Sequence, residues 1–360
     1  MAEAALLGKE AVLYEPQAGG KVRCTACARY CQIGEGQIGL CGIRGNVSGK
    51  LRLFVYGKII TAHVDPIEKK PVTHYRPGTK IMSVATTGCN WLCSYCQNFD
   101  ISQRRKVEGM EVSPMGVVDL ALKYGCQGIA YTYNQPSIFM EFAHDIGVEA
   151  RKRGLINIFV SNGYDTPQTV GMMGDFLDCI TVDFKGSGEQ GFVRRYIGIP
   201  NADPIFQTLA EIKNKTNIHI EITDLIVPQV GDNLDAARRL CQWVKDNLGE
   251  ETCTHFLRFH PDYRMMEFPP TPVETLEAHH RVGKEVGLKY VYIGNVPGHP
   301  LEHTYCAGCG KVVVERHGFD IVEWRLGVEN RCPHCRTLLP IVGSPPPDHH
   351  RPRFISVKIQ

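Results

Sequence analysis

The stretch Cys89-Asn90-Trp91-Leu92-Cys93-Ser94-Tyr95-Cys96 places three cysteines in one short loop with the spacing C-x3-C-x2-C. Three thiolates can bind three irons of a cubane cluster, since iron–sulfur clusters are bound by cysteine thiolates and normally by four of them. The missing thiolate leaves one iron open to an exogenous molecule, as the open position does in catalytic zinc sites. The alternative is a zinc loop whose fourth ligand lies elsewhere in the chain.

The chain around this cysteine loop alternates short apolar runs with amphipathic helical stretches. The runs predict strands at 81–86, 128–133, 156–162, 180–184, 218–226, 256–260 and 290–293, each buried on both faces. This alternation predicts a parallel sheet with right-handed crossovers. We expect the sheet to curl into a complete or partial barrel, with its chemistry at the carboxyl ends of the strands.

The cysteine pattern divides the chain into parts. We predict an N-terminal four-cysteine segment over 1–79, in which 65–71 is a connector, and a barrel over 80–298. A zinc-ribbon-like module over 299–343 and a proline-rich tail over 344–360, extended or disordered, complete the prediction. Eleven of the 15 cysteines fall into three tight groups, which in a long chain favours metal sites over disulfides.

Two groups of four cysteines flank the predicted barrel. The N-terminal quartet is Cys24, Cys27, Cys31 and Cys41, and the C-terminal quartet is Cys306, Cys309, Cys332 and Cys335. The first can hold tetrahedral zinc or a fully ligated iron–sulfur cluster, with a structural or electron-relay role. The second has zinc-ribbon spacing, which favours zinc over an auxiliary cluster.

Composition and charge narrow the classes of partner. A net charge of +2 and a pI of about 7.9 give no general electrostatic reason for binding nucleic acid or a membrane surface. Residues 1–10 lack the basic and apolar regions of a signal peptide, and no apolar stretch has the length of a membrane helix. We therefore expect a cytoplasmic protein.

The order of motifs along the chain resembles the radical S-adenosylmethionine (SAM) proteins of the AmmeMemoRadiSam group, relatives of the pyruvate formate-lyase activating enzymes. The resemblance rests on the N-terminal quartet, the cysteine loop and the stretches 65–71, 130–134, 161–164, 182–186, 258–262 and 294–299. It implies a partial TIM-type (β/α)6-like barrel and a [4Fe–4S] cluster on Cys89, Cys93 and Cys96. SAM would chelate the open iron.

The resemblance also implies roles for residues at the strand ends. The expected SAM contacts are Tyr95, Asn134, Gln135, Ser161, Asn162 and Asn295, and the expected catalytic residues are Asp183, Lys185 and His260. Strand alternation places Asp183 and Lys185 on one face, toward the barrel interior. The alternatives are a structural salt bridge for this pair, a turn at Asn162 and a helix cap at Gln135.

Gln135 departs from the pattern of the group, which commonly has Glu at this position. A glutamine keeps a carbonyl acceptor for the SAM amino group but loses the charge that strengthens such a hydrogen bond. We therefore expect Gln135→Glu to keep or improve SAM affinity.

The function implied is reductive cleavage of SAM, in which the resulting 5′-deoxyadenosyl radical abstracts hydrogen from a substrate. A one-electron donor such as flavodoxin or ferredoxin would reduce the cluster. The ribbon favours a macromolecular substrate, and the resemblance suggests a Memo-like partner protein. Generation of a glycyl radical on a partner enzyme is one alternative, and a non-catalytic zinc-binding adaptor is another.

Overall fold

The computed structural model describes residues 8–349 and 354–357. Its N-terminal part consists of short strands. They are β1 (Lys9–Glu10), β2 (Tyr14–Pro16), β3 (Val22–Cys24), β4 (Gln32–Ile33), β5 (Arg44–Val47), β6 (Lys50–Leu53), β7 (Lys58–Ile59) and β8 (Thr61–Pro66). Two small antiparallel sheets, β1-β6-β5 and β2-β3-β4, carry the N-terminal quartet and its surroundings.

A parallel sheet follows in the chain and forms the centre of the molecule. Its strands are β9 (Lys80–Ala85), β11 (Gly128–Tyr131), β12 (Ile156–Ser161), β13 (Cys179–Lys185), β14 (His219–Ile226), β15 (Thr254–Arg258) and β16 (Val291–Gly294), and β10 (Met110–Glu111) pairs with β7 outside it. The spatial order from β9 to β16 follows the sequence, with every neighbouring pair parallel. The carboxyl ends of all seven strands therefore meet at one edge.

Helices connect these parallel strands. They are α1 (Phe99–Ser102), α2 (Pro114–Lys123), α3 (Met140–Lys152), α4 (Pro167–Gly174), α5 (Gln190–Phe192), α6 (Asp203–Lys215), α7 (Leu234–Asn247) and α8 (Val273–Val286). Side-chain caps begin several of them: Ser113 accepts from the Gly116 amide and Thr166 from the Thr169 amide. Such caps satisfy amide groups that the first helical turn leaves unpaired.

The sheet continues beyond β9 with antiparallel strands. β8 pairs with β9, and β20 (Ile355–Ser356) pairs with β8. Within the described chain, β16 and β20 are the two edges, and no strand pairing closes the sheet into a ring. β8 lies in the predicted N-terminal segment and β20 in the predicted tail, so both segments contribute to the central sheet.

The apolar core joins the N-terminal part to the parallel sheet. Leu51, Leu53 and Val55 are fully buried in the same cluster as Tyr131 and Phe159. A separate cluster lies under β17 (Thr304–Tyr305), β18 (Val312–His317) and β19 (Asp320–Trp324), the antiparallel sheet of the C-terminal module. In the part of the chain described, no helix has the length and apolar character needed to span a membrane.

The observed strands test the predicted fold directly. Each of the seven predicted strands corresponds to one of the parallel strands, and the α/β class with a mostly parallel sheet is confirmed. The sheet has one parallel strand more than the (β/α)6-like barrel that the resemblance implied. The stretch 65–71 is not a simple connector, because it contains the end of β8 and a short 3-10 helix, Ile67–Lys69.

Candidate active site

The cysteine loop follows the end of β9, the last parallel strand on one side of the sheet, and so lies at the carboxyl edge. Gly88, the residue before Cys89, has a φ of +86°, a conformation that L-residues adopt only with strain. A Cβ at this position would also collide with the carbonyl oxygen of Cys41. Glycine at position 88 therefore permits both the turn into the loop and its close approach to the N-terminal quartet.

Backbone hydrogen bonds hold the cysteine loop against neighbouring segments. The amides of Leu92 and Ser94 donate to the carbonyls of Ile197 and Tyr196, at 3.0 and 2.8 Å. The amide of Arg264 donates to the carbonyl of Ser94 at 2.9 Å. The three cysteines thus occupy a loop fixed from two sides, and their side chains are half-buried.

Burial raises the pKa of all three thiols, that of Cys89 to about 11. Their mutual repulsion as thiolates adds to the effect at Cys93. Free thiols in this loop would stay protonated at neutral pH, so ligation by a metal must displace their protons. The loop is chemically suited to a positively charged iron–sulfur core that stabilises all three thiolates.

Two asparagines predicted as SAM contacts bind the cysteine loop itself. The Asn134 amide nitrogen donates to the Gly88 carbonyl at 2.8 Å, and the Asn162 amide nitrogen donates to the Asn90 side-chain oxygen at 2.8 Å. Because Asn134 follows β11 and Asn162 follows β12, both neighbouring strands position the loop. The parallel register of β9, β11 and β12 makes these contacts possible.

Gln135 lies in a buried hydrogen-bond network. Its amide nitrogen donates to Ser137 and Ser161, both at 2.8 Å, and to the Asp165 carboxylate at 3.0 Å. Its oxygen accepts from the Asn162 backbone amide at 2.7 Å. All polar groups of Gln135 are thus engaged within the protein, and it is not the helix cap considered above, since it makes no side-chain cap bond.

Asp165 and Ser137 were not predicted from the sequence. Burial raises the pKa of Asp165 to about 6. Hydrogen bonds from Ser137, Gln135 and Ser161 oppose this shift because they stabilise the carboxylate. The acid that the resemblance leads us to expect at 135 is absent, yet the Asp165 carboxylate, from the loop after β12, occupies the same network. The only sequence signal was its position four residues beyond Ser161.

Asp183 and Lys185 form an ion pair at the end of β13. The Lys185 ammonium lies 3.0 Å from the Asp183 carboxylate, whose other oxygen accepts from the Thr223 hydroxyl. Burial alone would lower the pKa of Lys185, but Asp183 raises it above its ordinary value, as does the nearby Cys93 thiolate. Lys185 is therefore a fixed positive charge facing the cysteine loop.

A second acid, Asp224, lies beside the Asp183–Lys185 pair. It was not predicted from the sequence. It lies on β14, is fully buried and accepts from the backbone amide and hydroxyl of Ser187 at 2.8 and 2.6 Å. Burial raises its pKa to about 6. The pair Asp183–Lys185 thus belongs to a larger group of charges across β13 and β14.

The remaining predicted residues lie at the same edge with different surroundings. Tyr95 is buried between Phe192 and Phe259, with ring centroids at 6.0 and 6.3 Å. Asn295 is exposed and donates to the carbonyl of Arg258 at 3.1 Å, which ties the end of β16 to the end of β15. His260 is exposed on the loop after β15.

The C-terminal quartet forms a compact group at the other end of the molecule. All four Sγ atoms lie within 4.8 Å of one another, with Cys306 and Cys335 at 3.5 Å and Cys309 and Cys332 at 3.7 Å. The module packs near the start of β16, where the hydroxyls of Tyr292 and Thr304 are 3.0 Å apart. This quartet can bind a metal and is remote from the cysteine loop.

Comparison with known proteins identifies the family. The model of the radical SAM superfamily matches residues 83–244, which include the cysteine loop and β9 to α7. A Methanocaldococcus jannaschii protein described as uncharacterized protein MJ0808 is 41% identical over 337 residues, 93% of this chain and 99% of the relative. This chain belongs to the radical SAM superfamily. Membership implies an iron–sulfur cluster and SAM.

Two solved structures share limited similarity with this chain. A domain of pyruvate-formate lyase-activating enzyme from Bacteroides vulgatus is 14% identical, covers 47% of this chain and 99% of that chain, and has a TM-score of 0.41. A radical SAM methyltransferase from Sphaerobacter thermophilus is 13% identical and has a TM-score of 0.47. The match covers 66% of this chain and 71% of that chain.

Proposed function

We propose that this chain is an enzyme that binds a [4Fe–4S] cluster on Cys89, Cys93 and Cys96 and cleaves SAM reductively. The observation that carries the proposal is a pair of buried polar atoms beside the cysteine loop. Among the described residues, the Thr87 hydroxyl and the Asn134 side-chain oxygen have no hydrogen-bond partner. Such atoms are costly unless a ligand or water pairs with them. When bound, cluster and SAM supply a 5′-deoxyadenosyl radical that abstracts hydrogen.

Asn134, rather than Gln135, is the residue we propose for the amino group of SAM. The Asn134 amide nitrogen is committed to the backbone at Gly88, which leaves its carbonyl oxygen as a fixed, free acceptor. An ammonium group offers donors only and therefore suits this oxygen. Gln135, Ser161 and Asn162 would be positioning residues: they would hold the cysteine loop and the neighbours of Asn134 in place.

Asp183 and Lys185 are proposed to orient the substrate. Lys185 faces the cysteines as a cation that Asp183 and Thr223 hold in place. A charge held in this way keeps its direction without reorganisation during a reaction. His260, exposed at the rim, is proposed to contact the substrate rather than SAM.

We propose a macromolecular substrate because the rim of the site is apolar and exposed. Phe99, which follows the cysteine loop, stacks on Tyr263 with ring centroids 4.7 Å apart, and the adjacent Arg264 amide donates to the Ser94 carbonyl. Leu92 is 41% and Met266 65% exposed nearby. Apolar side chains grouped at the mouth of a site are typical of surfaces that bind another macromolecule.

We also propose three things from the resemblance alone: the AmmeMemoRadiSam assignment, a Memo-like partner and a flavodoxin- or ferredoxin-type electron donor.

The test is the formation of 5′-deoxyadenosine by anaerobically purified protein with SAM and dithionite. We expect basal cleavage that increases when a macromolecular fraction of an anaerobic lysate is added, with no increase from the small-molecule filtrate. Protease or nuclease treatment of the fraction then identifies its class. Stimulation by the filtrate alone would refute the macromolecular substrate, and absence of any cleavage would refute the enzymatic function.

A further inference from the structure

We infer that the N-terminal quartet binds a second iron–sulfur cluster, ligated by all four cysteines and adjacent to the cysteine loop. The sequence left zinc and a cluster open for this site. The spacing of the thiols and their surroundings distinguish the two.

The C-terminal quartet provides the reference for a single-ion site. Its Sγ separations of 3.5 and 3.7 Å match tetrahedral zinc, in which bonds of about 2.3 Å place neighbouring sulfurs about 3.8 Å apart. In a cubane cluster each thiolate binds a separate iron, so the sulfurs stand further apart.

The N-terminal quartet has the wider arrangement. Within the described chain, no three of its Sγ atoms lie within 4.8 Å of one another, and the same is true of the cysteine loop. All four residues nevertheless line one cavity, together with Arg29, Arg44 and Asn90. The thiols therefore converge on a common space but not on a common point, which suits a multi-iron core.

Buried donors surround this cavity. The Arg29 Nη2 and Asn90 Nδ2 atoms are buried and have no hydrogen-bond partner in the part of the chain that the structure describes. Cluster sulfides and thiolates accept hydrogen bonds, and such bonds tune cluster potentials. Arg44 is also buried, and its charge is held by the Glu141 carboxylate and the Ile138 carbonyl. Because Glu141 offsets the charge of Arg44, Arg29 is the cation that offers a free donor to an anionic four-thiolate cluster.

The site adjoins the cysteine loop directly. Asn90, between Cys89 and Cys93, lines the cavity, and the Arg29 guanidinium donates to the Asn90 carbonyl at 2.9 Å. The backbone of Cys41 lies against Gly88. With no open iron, the cluster would transfer electrons only: it takes one from a reduced protein donor and passes one to the cluster on the loop, with no bond or proton moved.

Metal and sulfide analysis of anaerobically reconstituted full-length protein tests the inference. We expect about eight irons and about one zinc per chain in the wild type. The Cys89→Ala/Cys93→Ala/Cys96→Ala variant should keep about four irons, with an electron paramagnetic resonance signal after dithionite reduction. This readout does not depend on SAM cleavage, so it can fail while the proposed function stands.

Zinc at the N-terminal quartet would give about four irons and about two zincs in the wild type, and no iron in the triple variant. Either result would overturn the inference. Cys24→Ser/Cys27→Ser supplies the reciprocal variant, which should keep about four irons on the cysteine loop. If this variant does not fold, the wild-type stoichiometry and the triple variant still decide between the two metals.

Discussion

The side-chain amide of Gln135 donates a hydrogen bond to the carboxylate of Asp165 at 3.0 Å, and both side chains are buried. Gln135 is thus the donor in this pair. The expectation that Glu at 135 would keep or improve SAM affinity ignored this partner. A carboxylate cannot donate a hydrogen bond unless it is protonated. In the Gln135→Glu variant, two buried carboxyl groups would therefore repel each other when both are ionised.

We therefore predict that Gln135→Glu destabilises the protein by about 2 kcal/mol at pH 8, the scale of a broken buried hydrogen bond to a charged group. The loss should be smaller at pH 5.5, where one proton bridges the two acids. Urea unfolding at both pH values measures it. The control is Gln135→Glu/Asp165→Asn, which restores one donor and one acceptor. A single variant as stable as wild type at pH 8 would contradict the network.

The second prediction concerns Asp165 alone. Its pKa in the folded protein is about 6, above the ordinary value of 3.8, because burial disfavours the charge. The folded state therefore binds this proton more tightly than the unfolded state, and its contribution is present at low pH and lost as pH rises through about 6. Asp165→Asn mimics the protonated acid. Its stability relative to wild type should be higher at pH 8 than at pH 5 by about 1.4 kcal/mol, because the rest of the shift from 3.8 to about 6 is already lost below pH 5.

Thermal or urea unfolding of wild type and Asp165→Asn between pH 5 and 8 provides this comparison. Asp224 has a pKa raised in the same direction, so only the difference between the two proteins isolates Asp165. A difference that does not change with pH would show that Asp165 titrates normally.

The third prediction tests the contact between the N-terminal quartet and the cysteine loop. Gly88→Ala combines an unfavourable φ with a collision at the Cys41 carbonyl and should cost about 3 kcal/mol or more. Gly154→Ala is the matched control, since Gly154 has a φ of +75° but open space around it. It should cost about 1 kcal/mol. If Gly88→Ala and Gly154→Ala lower the free energy of unfolding equally, the close approach of residue 88 to Cys41 does not contribute to the cost.

The fourth prediction separates SAM cleavage from substrate use. Lys185→Met removes the charge facing the cysteine loop but keeps much of the side-chain volume. Basal formation of 5′-deoxyadenosine should persist, whereas stimulation by the macromolecular fraction should fall at least about tenfold, the effect of losing a bond of about 1.4 kcal/mol. The exposed Lys215 gives a control, Lys215→Met. If Lys185→Met keeps both the wild-type stimulation and the wild-type melting temperature, Lys185 does not contribute to substrate use.

The parallel sheet was predictable because its strands contain short apolar runs that are buried on both faces, as in Gly128–Tyr131. β8 was not, because it lies beyond the predicted boundary and its charged Asp65 resembles a connector residue. In the structure Asp65 accepts from Lys69, Lys70, Ser83 and Tyr133. Burial would raise the pKa of this carboxyl, but Lys70 and the other donors hold it below its ordinary value.

The site was predictable in outline for a different reason. Strand order places the residues after β9, β11, β12 and β13 at one edge, so Asn134, Ser161 and Lys185 could be assigned to it from sequence. Their partners could not be assigned, because Gln135 bonds to Asp165, 30 residues further along the chain, and Lys185 at the end of β13 interacts electrostatically with Cys93 in the loop after β9. Such pairings depend on sheet register and twist, which local sequence does not encode.

The most direct test of the central claim is anaerobic SAM cleavage by wild type and by Cys93→Ala, each with its iron content measured. We predict that dithionite-reduced wild type converts SAM to 5′-deoxyadenosine and methionine and that Cys93→Ala forms neither, with the fold intact by circular dichroism. Because the N-terminal quartet keeps its own ligands, the variant should still contain iron. Sustained formation of 5′-deoxyadenosine by Cys93→Ala, or none by iron-loaded wild type, would contradict the account.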